Sequence, residues 1–453
     1  MLIPERYRYT AGPDDIVRIS LQGSSKRVLA SPFVIVTVAL VLRLAVLYVS
    51  WHRASPAETT GPYGFETGWI AASIAAGKGF SSPLPSLETG PTAWLSPIFP
   101  YIVAGIFKVW GIFSFKSHVA IQTLNCVFSA LTILPIYATA KRTFGAGVAV
   151  LSSWLWVILP SAWHVPIADI WDTSLTALWF ALLFWATVAL RKEAQPTRWA
   201  AYGALFAAGI LINASLLAVL PFFLVWLAWQ AREHSLPWLR LPIVTVLIFV
   251  LGVAPWTVRN YLTFGKLIPV RSNFDFELWL GNNPSASDWR SFNSHPGVDR
   301  AEAAGYARLG EIAYVQSKGR IARGFIRSHP AKTLRSTVER AVSYWLSVSD
   351  RPGETWSGEP AYLKVLLLMN MAMILFSWLG LAAVWRQRNR FAVLYLVALI
   401  FYPVIFYVTH PLARYRFPLE PILVVLALHG LSSTFSFVVV RWSVGEGANA
   451  VVQ

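Results

Sequence analysis

Residues Tyr63–Gly111 read YGFETGWIAASIAAGKGFSSPLPSLETGPTAWLSPIFPYIVAGIFKVWG. The stretch follows the first strongly apolar run and precedes the second unbroken one. Its first half predicts a short helix opening with a single carboxylate, Glu66. Gly61, Pro62 and Gly64 break structure ahead of it, and Gly77 and Gly79 stop it. Its second half, Trp94–Trp110, is apolar but interrupted by Pro97 and Pro100. That pattern suits a helix lying at a membrane surface better than one crossing it.

The rest of the chain places this stretch beside a bilayer. Apolar runs long enough for about 20 residues of spanning helix fall at 32–51, 117–140, 146–164, 174–190, 199–214, 216–230, 241–257, 362–385, 391–408 and 421–440. The expectation is an all-α polytopic membrane protein of about ten transmembrane helices. The fifth and sixth runs, close together around Asn213–Ser215, read as a tight helical hairpin. The amino-terminal segment carries Arg6, Arg8, Arg18, Lys26 and Arg27. Alternate gaps then carry Lys141 and Arg142, Arg191, Lys192 and Arg198, Arg232 and Arg240, and Arg386, Arg388 and Arg390. The opposite short gaps hold only Arg414 and Arg416. An excess of Lys and Arg marks the cytoplasmic side of short loops. Both termini are therefore expected there, with 52–116 and 258–361 outside. The polar residues ahead of the first run make it read as an uncleaved anchor.

Composition agrees. Of 453 residues, 56% are hydrophobic and 13% charged, against about 25% charged in soluble domains. The net charge of +16 sits mostly between apolar runs, which excludes nucleic acid as the expected partner and points to anionic lipid. Cys126 is the only cysteine and the eight His show no metal-ligand spacing. No cofactor is expected, and no spacing indicates a divalent metal. There is no glycine loop of a nucleotide fold. The expected organisation is a cytoplasmic segment 1–31, a membrane domain 32–257 with the external loop 52–116, an external helical insert 258–361, a second membrane part 362–440 and a cytoplasmic segment 441–453. In the insert, Leu309, Ile312, Val315, Ala322, Phe325 and Ile326 mark one apolar helix face. After Pro330, Leu334, Val338, Ala341, Val342 and Trp345 mark another.

The stretch 63–111 also resembles the first external loop of the GT-C glycosyltransferases. It has an acidic residue shortly after the first span, a helix behind it, and a Pro–aromatic–aliphatic run ending Phe107-Lys108-Val109-Trp110-Gly111. Among these enzymes it is most similar to the lipid A aminoarabinose transferases and protein O-mannosyltransferases, the family 39-like group. Those relatives often carry Asp-Glu where this chain has Phe65-Glu66, and Lys-Pro-Pro where it has Leu95-Ser96-Pro97. The resemblance implies a GT-C-like fold and an inverting transfer of a sugar from a polyprenyl-phosphate carrier. The acceptor would be a glycan, lipid or protein on the external (periplasmic) face of the inner membrane.

Such a transfer needs a base for the acceptor hydroxyl and cations for the departing phosphate. Glu66 fits the base: the helix dipole favours its ionised form, and the resemblance points to the same residue. Read alone, such a residue is more often a solvated one opening a helix, since Glu is common in first turns. Asp169 and Asp172 are the next carboxylates, and either serves equally as a helix cap. For the phosphate, Arg259, Arg414 and Arg416 stand at span ends, with Lys78 a weaker partner. Any of these Arg is equally placed to snorkel. Arg43 lies inside the first span, where a charge marks either function or a buried pairing. A polysaccharide polymerase or ligase, centred on Arg and His of late loops, is the alternative enzyme. A transporter or flippase is the non-enzyme alternative, but the charges sit at span ends rather than mid-membrane.

Overall fold

The computed structural model describes residues 28–53, 61–85, 87–168, 170–284, 294–346 and 361–435, and among these there is no β-strand. Eighteen α-helices follow one another: α1 Pro32–Arg53, α2 Phe65–Ala75, α3 Ile98–Trp110, α4 Phe115–Leu131, α5 Ile133–Phe144, α6 Ala146–Ile158, α7 Pro160–Ala168, α8 Thr173–Leu190, α9 Pro196–Ile212, α10 Leu220–Glu233, α11 Arg240–Phe264, α12 Phe274–Gly281, α13 Arg300–Leu309, α14 Glu311–Ser328, α15 Pro330–Leu346, α16 Ala361–Arg386, α17 Ala392–Val408 and α18 Glu420–Phe435.

Among the described residues, which leave out 436–440, the expected apolar runs fall largely on helix, but ten full-length spans are not seen. Among the described residues six helical stretches are long and apolar enough to cross a membrane, and the pair α6–α7, bent by 45°, makes a seventh if it is counted as one span. The runs at 199–214, 216–230 and 391–408 become helices of 17, 14 and 17 residues, short of the roughly 20 a span needs. Asn213 is the reason for the first two. Its backbone is extended (φ −148°) and leads into a 3₁₀ turn at Ala214–Ala218. Nor do α9 and α10 close as a tight hairpin, because α9 packs chiefly along α11.

Arg43 has a structural explanation. It is fully buried in α1. Pro160 and Pro166 lack the N–H that would bond to the carbonyls four residues earlier, those of Trp156 and Ala162. Arg43 donates to both, from Nη2 to Trp156 O at 3.1 Å and from Nε to Ala162 O at 2.9 Å, and Ser129 Oγ also donates to Ala162 O. Residue 159, held extended ahead of Pro160 (ψ 122°), makes the bend. The charge thus satisfies the carbonyls that the two prolines leave open. Elsewhere helices touch backbone to backbone: a Cβ on Gly380 would stand 2.1 Å from Leu426 O, which is why α16 and α18 pack so closely there.

The insert does not form a core of its own. Phe276, Trp279, Tyr306, Tyr314 and Val315 bury against Leu84 and Trp94 of the first loop. Val315 and Ala322 are buried as the periodicity of α14 requires, but Leu309 is exposed. On α15 the expected apolar face is split: Trp345 packs its ring 6.1 Å from that of Trp378, while Leu334, Val338 and Val342 remain exposed.

Candidate functional site

The site lies at the amino-terminal end of α8, the end opposite Arg191. A cavity of about 520 Å³ opens there between the α2–α3 loop, the 3₁₀ turn after α9, the α11–α12 connection and the α17–α18 connection. Its lining includes the apolar side chains Leu95, Phe99, Ile212, Leu217, Ile405 and Phe406 and the polar ones Asp172, Asn213, Arg271, Glu277, His410 and Arg414. An apolar pocket with a few convergent polar groups is the general form of a small-molecule site.

Asp172 stands at the N-cap of α8 without making a side-chain cap bond. Its Oδ2 instead accepts from Asn213 Nδ2 at 2.9 Å. Burial pushes the carboxyl above its usual range, opposed by Arg271, the Asn213 bond and Arg414. Asp169 lies outside the described residues. Arg414 stacks over Trp171 at 4.3 Å. Arg271 donates from Nε to Trp94 O at 3.2 Å and lies 3.9 Å from Glu277 Oε1. Arg271, Glu277 and His410 are the functional candidates that sequence reasoning missed. The available signal was three charges, Arg271, Asp275 and Glu277, within the otherwise uncharged run Leu267–Gly281.

Glu66 sits directly behind this lining. It opens α2 as expected, but is buried and does not itself line the cavity, whereas its neighbour Thr67 does. Glu66 Oε1 accepts from Trp94 Nε1 at 3.3 Å and lies 3.1 Å from His295 Nε2. Its Oε2 has no hydrogen-bond partner among the described residues. Burial would raise its pKa, but the bond and charge of His295, with Trp94, outweigh this and hold it below the usual range. The insert therefore covers Glu66 through His295. Phe65, in the left-handed region at φ 44°, packs its ring 5.1 Å from that imidazole.

The remaining cations expected at a phosphate are occupied elsewhere. Arg259 holds the α2–α3 loop, donating to Thr92 O at 2.6 Å and Phe80 O at 2.9 Å. Arg416 is buried, donates to Tyr344 O and Trp345 O at 2.9 Å each, and lies 3.6 Å from Glu420. Lys78 pairs with exposed Glu88. None of the three lines the cavity. Juxtamembrane cations look alike in sequence; Arg259, Arg416 and Lys78 face backbone carbonyls or a carboxylate instead.

Glu311 organises the surroundings. It accepts from Ala93 N at 2.8 Å, Ser272 Oγ at 2.6 Å, Tyr306 Oη at 2.8 Å and Thr92 Oγ1. The insert is thereby fixed to the loop that carries Trp94 and to the connection that carries Arg271. Among the described residues no group of three or more His, Cys, Asp or Glu stands close enough to hold a metal ion.

The architecture has solved counterparts. The oligosaccharyltransferase of Archaeoglobus fulgidus in its apo form aligns over 89% of this chain and 50% of its own, at 14% identity and TM-score 0.54. The chain shares the fold of this oligosaccharyltransferase over about half of that protein's length. The same oligosaccharyltransferase, AglB, in complex with an inhibitory peptide and a dolichol-phosphate aligns over 91% and 51%, again at 14% identity and TM-score 0.54. ArnT from Cupriavidus metallidurans bound to undecaprenyl phosphate aligns over 87% of this chain and 77% of that one, at 16% identity and TM-score 0.39. Residues 93–257 match the dolichyl-phosphate-mannose-protein mannosyltransferase family, a segment that contains Asp172 and Asn213 but not Glu66, Arg271 or Arg414. No curated protein is significantly similar in sequence. The chain spans about half the length of the oligosaccharyltransferase it resembles.

Proposed function

We propose that this protein is an integral-membrane glycosyltransferase that moves a sugar from a polyprenyl-phosphate carrier to a glycan, lipid or protein acceptor on the external face of the inner membrane. The observation that carries this reading is the cavity, where Arg271 and Arg414 stand near enough to Asp172 to act on its charge, within a lining that is otherwise largely apolar. An apolar lining suits the isoprenoid, and two guanidinium groups suit the phosphate. The shared fold supports it, and so does the dolichol-phosphate in the complex of one structural counterpart.

Asp172 is assigned as the base. A base works best with a pKa near the working pH, and burial raises this carboxyl, which lines the cavity. The acceptor hydroxyl gives its proton to Asp172 as its oxygen bonds to the anomeric carbon. The bond from that carbon to the phosphate oxygen breaks on the opposite face, inverting the centre. The electron pair stays on the phosphate, where Arg271 and Arg414 stabilise the added charge. Glu66 holds Trp94 and His295 behind the lining and acts on the site through them.

The test is binding of polyprenyl phosphate to the purified protein in mixed micelles. Arg271→Ala and Arg414→Ala should each weaken it about 10- to 100-fold, the range for a charge-assisted bond. Arg259→Ala should keep that affinity. If both cavity variants bind like the parent, the reading fails.

A further inference from the structure

The phosphate and base assignments leave part of the polar lining unused. Glu277 lies on α12, and its Oε1 accepts from Asn273 Nδ2 at 2.7 Å. Its Oε2 faces His410 Nδ1 at 3.3 Å, too poorly aligned to count as a hydrogen bond. His410 is nine-tenths buried, lines the cavity, and its Nδ1 has no hydrogen-bond partner among the described residues. A buried polar atom without a partner costs free energy, so a ligand group that completes it is favoured.

The pair is rigidly mounted. Asn282 Nδ2 donates to Val408 O at 2.8 Å. Arg340 bridges Gly281 O at the end of α12 and Tyr407 O at the end of α17. There is no room for a Cβ on Gly281, which would stand 1.7 Å from Thr409 O. So α12 and the end of α17 cannot move apart independently, and the spacing of Glu277 and His410 is fixed before any ligand arrives.

We propose that Glu277, braced by Asn273 and facing His410, forms a hydroxyl-recognition subsite that selects an uncharged sugar on the donor. This rests on the lipid-linked donor reading above. A hydroxyl placed between them donates to Glu277 Oε2 and accepts from His410 Nδ1. An acidic sugar would set its carboxylate against Glu277. A cationic sugar would meet Arg271 and Arg414 in the same lining. A neutral hydroxyl meets neither penalty, and a site built to bond a hydroxyl discriminates strongly against ligands without one.

Binding of three probes tests this: bare polyprenyl phosphate, its neutral hexosyl derivative and its hexuronosyl derivative. The parent should bind the hexosyl lipid about tenfold more tightly than the bare lipid, as one bond to a charged group allows, and gain nothing from the hexuronosyl group. Glu277→Ala should erase the hexosyl advantage, read within the variant as the ratio of its hexosyl-lipid to its bare-lipid affinity. Glu277→Gln keeps the shape of the side chain, serves if the alanine variant does not fold, and should raise hexuronosyl binding. If Glu277→Ala keeps the parental hexosyl advantage or weakens all three probes alike, or if Glu277→Gln leaves hexuronosyl binding at the parental level, the subsite is refuted while the donor reading stands. Failure of the parent to bind bare polyprenyl phosphate refutes the donor reading and this inference with it.

Discussion

Asp172→Asn is the sharpest test of the chemistry, because it separates the base from the scaffold. The amide keeps the size of the side chain, and its oxygen can still accept from Asn213, now 2.9 Å from Asp172 Oδ2. What is lost is the proton acceptor. Base removal costs about 100- to 10,000-fold in rate, or about 2.7–5.4 kcal/mol of barrier at 1.36 kcal/mol per factor of ten. Stability should move the other way. Burial raises this carboxyl in the folded protein, so the fold binds more protons than the unfolded chain. Stability then falls as pH rises from the usual Asp value of about 3.9 through the raised one. At neutral pH the parent carries that penalty, and the asparagine variant does not. The assay is kcat with a purified polyprenyl-phosphate sugar, alongside a thermal unfolding midpoint and a pH–rate profile. The expected result is a collapsed kcat, an unchanged or higher midpoint, and loss of the acid limb of the profile. A variant that retains a third of the parental kcat would refute the assignment, and so would one that loses rate and midpoint together.

Three further outcomes follow from the same geometry. Glu66→Gln removes the charge that His295 and Trp94 hold, and should lower kcat about tenfold, the low end for a charge-assisted bond; a loss as large as that of Asp172→Asn would make Glu66 a direct participant. Arg43→Leu should unfold the α6–α7 bend, seen as loss of monodisperse protein, and adding Pro160→Ala with Pro166→Ala should rescue it by restoring the two N–H groups; failure of the rescue would remove the prolines as the reason for that charge. Cysteines at Ser328 and Ala194, both exposed and read against a buried Cys126, should label from opposite sides of the membrane; labelling from one side would overturn the external placement of the insert.

The sequence by itself determined the class of protein, the helices and the first-loop geometry. Hydropathy and glycine or proline breaks are local properties, so α2 begins and ends where Gly64 and Gly77 require, and the apolar runs are largely helix among the described residues. It also singled out Glu66, Asp172 and Arg414 as charges near span ends. Tertiary structure decided how those charges divide. Arg259, Arg414 and Arg416 occupy equivalent positions in the chain, yet one stacks beside the cavity and the other two are spent on backbone carbonyls and Glu420. Which of these an Arg finds depends on helices distant in sequence. The same holds for Arg43, whose partners exist only because two prolines lie in another helix. Arg271, Glu277 and His410 face one space because the insert docks on the first loop through Glu311 and on α17 through Arg340. No periodicity within one segment encodes such a meeting, since it depends on which faces of separate segments pack together.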